Sequence, residues 1–278
     1  MILDCFTFNN EVLLLEARLH ELNSVIDYFI LVESPYTQSR QPKPLYYEEN
    51  KHLFKDFEHK IIHVKFNELT RGGEANWVQE NAQRNYISEG INQLFKEKKI
   101  DPDYQNTWVC ISDVDEQPKK EAILEATSGK YEMVSLNHLF ISYFLNLWNP
   151  RPWYGTVVTR LDNLVYNTPQ ELRKLKDNDM PHIDNAGWHF SSIVGRDFSL
   201  LWSKYLSCIE PHSKQELFNE NKELYHAQYI KHVIEDNYFW FVDNWNNKSL
   251  KLEKLPLDKL PKYVFFRQEE ERFKKLLL

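Results

Sequence analysis

The chain has 278 residues, 42% of them hydrophobic and 14% aromatic, which is the makeup of a packed globular protein of one large domain or two small ones and excludes a disordered chain. Its net charge of −7 and pI near 5.8 argue against a general nucleic-acid surface. Cys5, Cys110 and Cys208 allow neither a disulfide framework nor a zinc spacing, and the 7 glycines include no phosphate loop of the P-loop or dinucleotide type.

Ile2 to Phe8 reads as a first strand. Asp4 arrives almost at once, with no cationic region ahead of an apolar one, so no signal peptide is expected. No window approaches the roughly 20 apolar residues that span a bilayer. A reducing, cytoplasmic setting is the expectation, and Asn247-Lys248-Ser249 carries little weight as a glycosylation acceptor. Glu11 to Asn23 follows as a helix, with Val12, Leu15, Leu19 and Leu22 at helical spacing. Tyr28 to Val32 is a second apolar run, closed by Glu33 and Ser34-Pro35. Pro42 and Pro44 mark a polar loop, and Lys60 to Phe66 is a third strand. The β-α-β-loop-β order favours an α/β layer fold.

Trp77 to Lys98 is the clearest helix. Trp77, Ile87, Ile91, Leu94 and Phe95 share an arc of roughly 100°. Glu80 and Arg84 fall in that same arc, four residues apart, where they can pair. Two readings stand. Either they form a buried structural ion pair, or Arg84 faces a crevice and offers its planar fork to a phosphate or acidic group.

Trp108-Val109-Cys110-Ile111 then runs into Ser112, Asp113, Asp115 and Glu116, and Pro118 ends the extended stretch. Such a run fits a strand buried on both faces of a mostly parallel sheet. Ligands of open α/β sheets bind in the crevice outside the carboxyl ends of the strands. Hard carboxylate oxygens there suit Mg²⁺ or Mn²⁺, which in turn hold phosphates. The plain alternative is an acidic turn facing solvent. Haloacid-dehalogenase-type phosphatases also place Asp-x-Asp after an apolar strand, but they want Thr or Val where this chain has Gln117, and they carry the strand near the start.

Beyond this strand, Lys119 to Thr127 reads as a short helix, Glu132 to Leu136 as a strand, and His138 to Trp148 as an aromatic-rich stretch. Pro150, Pro152 and Pro169 mark loops. Asn185 to Val194 holds Gly187-Trp188-His189-Phe190-Ser191. Leu224 to Trp240 reads as helical, and Gln268 to Lys275 as a charged, solvated helix.

Five segments, in order, resemble glycosyltransferase family seventeen. They are Asp4 through Glu11; Val32-Glu33-Ser34 with Lys43-Pro44-Leu45; Glu80 through Gln83-Arg84; Ser112-Asp113-Val114-Asp115-Glu116 with Pro118; and Ala186 through Ser191. Together they cover roughly residues 1 to 195. The resemblance implies a GT-A-type, Rossmann-like α/β fold with a mostly parallel central sheet flanked by helices. It also implies a single catalytic domain over 1–278, with a nucleotide-sugar-binding half (1–130), an acceptor-side half (131–260) and a helical tail (261–278). Its implied activity is metal-dependent transfer of GlcNAc from UDP-GlcNAc, with inversion and a β-linkage, to a glycan or glycoconjugate. A metal-dependent phosphohydrolase or nucleotidyltransferase, or a non-catalytic glycan-binding module using the 8 Trp and 15 Tyr, are the competing readings.

On the transferase reading, Asp115 contacts Mn²⁺ or Mg²⁺ directly, Asp113 contacts it through water or holds the ribose, and His189 adds a metal or diphosphate contact. A structural histidine is the alternative for His189. Asp184 is the favoured general base, with Glu116 its rival. Arg84 and Lys43 neutralise the diphosphate. Asn10 and Glu11 seat the base and ribose, unless Asn10 caps the following helix. Glu33 and Gln83 join the donor site through their family segments. Trp188 either stacks on a sugar or uracil face or packs in the core.

Overall fold

In the computed structural model, which describes residues 1–70, 77–101, 103–177, 180–207, 222–237 and 251–278, a nine-stranded sheet carries the chain. In chain order the elements of the first half are β1 (Ile2–Phe8), α1 (Val12–Leu22), β2 (Tyr28–Glu33), α2 (Tyr46–Asn50), β3 (Ile61–Lys65), α3 (Trp77–Asn85), α4 (Ile87–Lys96) and β4 (Trp108–Asp113). Those of the second half are β5 (Glu116–Pro118), α5 (Lys120–Ala126), β6 (Met133–Ser142), β7 (Leu147–Arg160), α6 (Pro169–Lys174), β8 (His182–Ser191), α7 (Phe198–Ser207), α8 (Lys222–Tyr229), β9 (Glu253–Lys254), α9 (Lys262–Phe265) and α10 (Glu271–Lys274).

The strand order is β3-β2-β1-β4-β7-β6-β8-β5, with β9 beside β7. β3, β2, β1 and β4 are parallel. From β4 outward β7 and β6 pair antiparallel, β8 joins β6 parallel, and β5 joins β8 antiparallel. The sheet is therefore mixed, which corrects the expectation of a mostly parallel one. The chain itself explains the change: β6 and β7 form a hairpin, and hairpin-linked strands must run in opposite directions.

Side-chain alternation divides the core into two layers. Phe6, Phe8, Trp108 and Cys110 face α1, whose Leu15, Leu19 and Leu22 meet them. Leu3, Cys5, Val109 and Ile111 face the opposite side, against Ile87, Ile91 and Leu94 of α4. Cys5 and Cys110 are buried free thiols; Cys208 lies outside the described residues, as does the Asn247-Lys248-Ser249 triplet.

Several sequence expectations change here. The helix expected over 77–98 is two helices that break at Tyr86, and Trp77 is 56% exposed instead of joining the apolar arc. The break re-aims the chain, so that α3 buries Gln79, Gln83 and Arg84 while α4 buries its apolar face. Helix α1 has Glu11 at its N-cap position, so Asn10 is not the cap. Pro150 and Pro152 lie within β7, where the pairing with β6 shifts register; a bulged stretch tolerates the missing donors. Pro169 opens α6 behind a Thr168–Glu171 capping box. The helix expected over 224–240 begins at Lys222 and passes into a π-turn over Ile230–Glu235; residues 238–240 lie outside the described part. The tail is not a solvated helix. Phe273 and Leu276 are buried with Tyr263 and Val264 against Leu14 and Ala17 of α1.

Gly90 sets the distance between α4 and the sheet. A Cβ there would stand 2.4 Å from Ile30 Cγ2 and 2.9 Å from Val64 Cγ2. Gly90→Ala should therefore destabilise the fold by about 1–3 kcal/mol, although Ala is the better helix former. Urea unfolding that showed equal or greater stability would contradict this packing.

Candidate active site

The carboxyl end of β4 lies where the sheet changes from parallel to antiparallel pairing. Asp113 ends β4, Val114 and Asp115 turn, and Glu116 opens β5 opposite His189 of β8. The turn is bonded into both neighbours: the Val114 amide donates to the Thr7 carbonyl at 3.0 Å, and the Phe190 amide to the Asp115 carbonyl at 2.7 Å. The Glu116 carboxylate closes it by accepting from the Asp113 amide at 3.0 Å.

Beneath the turn lies a pair that the sequence reading missed. Arg18 of α1 and Asp4 of β1 are both 0% exposed and form a two-point ion pair, Nε to Oδ2 at 2.8 Å and Nη2 to Oδ1 at 2.6 Å. Nη2 also donates to Ser112 Oγ at 2.6 Å. Nη1 donates to the carbonyls of Asp113 (3.1 Å), Val114 (3.3 Å) and Glu116 (2.8 Å). The signal was present in the chain: Arg18 sits on the apolar face of an amphipathic helix, and Asp4 interrupts an apolar strand. Charges in such places are usually paired.

The three carboxylates of the motif have different surroundings. Asp113 points with Thr7 to the α3 side. It accepts from Thr7 Oγ1 (2.6 Å), Arg84 Nη2 (2.8 Å) and Arg173 Nη2 (3.2 Å). Burial works to raise its pKa, but Arg84 and Arg173 outweigh that and hold it below the usual value. Glu116 accepts from Arg173 at 2.6 Å and from Trp153 Nε1 at 2.9 Å. Burial again opposes, yet Arg173 and Lys176 carry its carboxyl well below the ordinary range. Among the described residues Asp115 pairs with no guanidinium; Lys204 of α7 approaches it, Nζ to Oδ2 at 3.7 Å, and His189 Nδ1 lies 3.9 Å from Oδ1. Burial, with Lys204 only partly offsetting it, pushes Asp115 up to about 8.

These groups line a cleft of 160 Å³ with Thr7, Asn9, Glu11, Tyr36, Gln38, Glu80, Gln83, Trp153 and Ser207. A larger depression of 480 Å³ at Tyr131, Met133, Leu175 and Pro181 gathers none of the motif carboxylates. Two glycines permit close packing around the turn. Gly187 lets β5 approach, since a Cβ would lie 2.3 Å from the Gln117 carbonyl. Gly155 leaves room for His138, whose Nδ1 would be 2.7 Å from a Cβ. His189 stacks on Trp153 at 4.0 Å, nearly coplanar, and burial lowers its pKa to about 3, so the imidazole is neutral.

The remaining expected site residues divide clearly. Glu11 and Gln83 line the cleft; Glu11 accepts the Asn9 and Asn10 amides, and Gln83 donates to the Phe8 and Val32 carbonyls. Arg84 follows its ion-pair reading, pairing with Glu80 at 2.6 Å and also with Asp113 at 2.8 Å, and it does not itself line the cleft. Glu33, Lys43, Asn10, Asp184 and Trp188 do not line the cleft. Glu33 is wholly buried, taking the Tyr47 amide and His63 Nε2, with Lys43 at 3.8 Å. Lys43 donates to the Asn9 and Pro44 carbonyls. Trp188 is a core residue whose Nε1 donates to the Lys259 carbonyl, so its packing reading holds. Asp184, expected as the base, is 73% exposed, bonded to Asn137, and five residues before His189 on β8. Glu116 is no better placed for the role, because a carboxylate held ionised by Arg173 is a weak proton acceptor. Lys204, Trp153, Tyr36 and Gln38 were missed. They come from loops and from the second half, where no spacing links them to the motif.

Among the described residues no group of three or more His, Cys, Asp or Glu stands ready as a metal cage. The donors at Asp115 nevertheless fit a divalent cation. An under-compensated carboxylate faces a neutral histidine whose buried Nδ1 has no hydrogen-bond partner. Asp113 does not fit as a direct ligand, since Thr7, Arg84 and Arg173 occupy both of its oxygens.

A family model described as Glycosyltransferase family 17 matches residues 1–234. A stretch of 127 residues, 44% of this chain, is 28% identical to β-1,4-mannosyl-glycoprotein 4-β-N-acetylglucosaminyltransferase of Rattus norvegicus and of Homo sapiens. The match spans 22% of the rat protein and 23% of the human one.

Two stability measurements check this geometry. Arg18→Met strands the buried Asp4 carboxylate and should cost about 3–5 kcal/mol in urea unfolding, whereas Asp4→Leu with Arg18→Met should recover much of that loss. Asp115 carries the opposite sign. The unfolded chain ionises it near pH 4 and the folded chain near 8, so its contribution is complete below about pH 4 and is lost as pH rises to about 8. In chelator-treated buffer Asp115→Asn should match the parent near pH 4 and exceed it by on the order of 1–3 kcal/mol at pH 8. A variant less stable at both pH values would mean that the ionised carboxylate supports the fold.

Proposed function

The chain belongs to glycosyltransferase family 17, and on that ground we propose that it transfers GlcNAc from a UDP-linked donor to a hydroxyl of a glycan or glycoconjugate, with inversion and with the help of Mn²⁺ or Mg²⁺. The observation that carries this reading is the arrangement of the acidic turn. Two of its carboxylates are neutralised by arginines, while the third, Asp115, is part-buried beside a neutral histidine and opens on a cleft at the carboxyl end of β4. Four parallel strands ending at that switch in pairing support a GT-A-type reading. The relatives named above are N-acetylglucosaminyltransferases, which is the ground for GlcNAc.

Charge explains why a cation belongs here. Glu11, Glu80, Asp113, Asp115 and Glu116 all face the cleft; Arg84 and Arg173 offset Glu80, Asp113 and Glu116, which leaves Glu11 and Asp115 to oppose an anionic diphosphate. Asp115 and His189 would hold a divalent cation, which stabilises the negative charge that grows on a departing diphosphate. Thr7 and Arg84 keep Asp113 fixed, and through it the carboxyl end of β4. Arg173 and Trp153 keep Glu116 over the turn. Glu11 and Gln83 lie where the donor's nucleoside would enter, at the ends of β1 and α3. The chain's residues thus provide a rigid frame, so little reorganisation is needed when charge develops.

A thermal-shift panel of nucleotide sugars with and without Mn²⁺ tests the reading. A ligand at 100 times its Kd adds about 2.7 kcal/mol of stability. UDP-GlcNAc with Mn²⁺ should stabilise the protein and release UDP slowly, and Asp115→Ala should abolish the effect. Absence of a shift with every UDP-sugar would defeat the donor assignment, and monophosphate products would point to a hydrolase instead.

A further inference from the structure

Lys204 reaches the acidic turn from an element with no sequence link to it. Helix α7 is anchored by Phe198, Leu201 and Trp202, which pack with Tyr143 and Tyr229. Its last turn is tied to the 36–42 loop: the Ser39 amide donates to the Ser207 carbonyl at 3.2 Å, and Ser39 Oγ to the Leu206 carbonyl at 3.1 Å. Ser39 is buried, and the neighbouring Tyr36 and Gln38 line the same cleft as Lys204 and Ser207. The helix backbone is thus held while the lysine stem extends into the cleft. The Lys204 side chain is 29% exposed, with Nζ 3.7 Å from Asp115 Oδ2.

Both arginines of the site hold the other carboxylates. Arg84 pairs with Glu80 and Asp113, and Arg173 with Asp113 and Glu116. Among the described residues Lys204 is the cation that approaches Asp115, beside the neutral His189. An ammonium at that distance lies where a divalent cation on Asp115 would repel it. A lysine, unlike the forked arginines, is a point charge on a flexible four-carbon stem and can be re-aimed without moving its helix.

We propose that Lys204 exchanges partners: it stands against Asp115 in the empty cleft and, when a divalent cation takes Asp115, turns to the phosphate oxygens of the bound nucleoside diphosphate. This rests on the donor reading above and deepens it. Lys204 and the metal compete for Asp115 yet cooperate on the diphosphate, so removing the ammonium shifts the two affinities in opposite directions. A residue that merely packs the cleft wall would not produce that split.

Calorimetry of the full chain with Mn²⁺ alone, and then with UDP at saturating Mn²⁺, tests it without reliance on turnover. At a pH where Asp115 is ionised in both proteins, Mn²⁺ should bind nucleotide-free Lys204→Met several-fold more tightly than the parent, and UDP about tenfold more weakly, as expected on losing one charge-assisted contact. Lys204→Arg, which keeps the charge, should stay close to the parent in both. Circular dichroism melting of each variant confirms folding, with Lys204→Gln replacing Lys204→Met if the latter fails to fold. Two unchanged affinities, or two that weaken together, overturn the role of Lys204 while leaving the donor reading in place. Wild-type protein that binds neither Mn²⁺ nor UDP overturns the donor reading, and this role with it.

Discussion

The guanidinium of Arg18 is the point on which the site depends. Asp4 fixes one edge of it, and the opposite edge grips the carbonyls of Asp113, Val114 and Glu116. Two fully buried charges carry a large desolvation cost, several kcal/mol per ion even after relaxation. That cost is offset only when every donor is used with good geometry. Here Nε, Nη1 and Nη2 all have partners, and Ser112 and the ring of Phe6, 4.5 Å away, complete the surroundings. A hydrophobic pair of equal volume could hold α1 against β1 at least as well. It could not bond three backbone carbonyls of a turn whose side chains must point the other way. The pair therefore makes best sense as a determinant of turn conformation, with overall stability secondary.

Strand alternation then assigns the carboxylates their parts. Thr7 and Asp113 are paired in register across β1 and β4, and both point toward α3, where Arg84 waits; Asp4 and Ser112 point toward α1 and Arg18. Glu116 opens the next strand and meets Arg173. Only Asp115, in the turn itself, belongs to neither layer. Strand alternation thus separates Ser112 from Asp113, and the turn separates Asp115 from both Asp113 and Glu116. Environment, and not residue type, separates the two lowered carboxyls from the raised one.

The sequence showed the first half of this clearly. The strands at 2–8, 28–33 and 108–113 and helix α1 follow from apolar periodicity, and the acidic turn lies at the strand end where it was expected. Periodicity was weaker elsewhere for physical reasons. The 77–98 helix has a continuous pattern, yet it breaks at Tyr86, since α3 must turn polar residues to the cleft while α4 packs on the sheet. β7 was concealed by two prolines that a bulged pairing accommodates. The tail's charge concealed Phe273 and Leu276, which complete the core around α1. Within the site, the residues next to the motif were found. Lys204 and Trp153, delivered by distant elements, had no signature of their own, and Trp188, beside His189, points into the core because adjacent strand residues face opposite ways.

That opposition of neighbours also bears on how the two halves of the chain share the work. β8 turns His189 to the cleft and Trp188 and Phe190 to the layer built by α1 and the tail. The same α1 carries Arg18, which sets the turn bearing Asp115. The two sides of the Asp115–His189 pair are therefore fixed by one helix, through a salt bridge on one side and an apolar layer on the other. Lys204 and Trp153 approach from elements outside that layer. The rigid part of the cleft thus lies around Asp115 and His189, and β7, α7 and the 36–42 loop supply the rest of its lining.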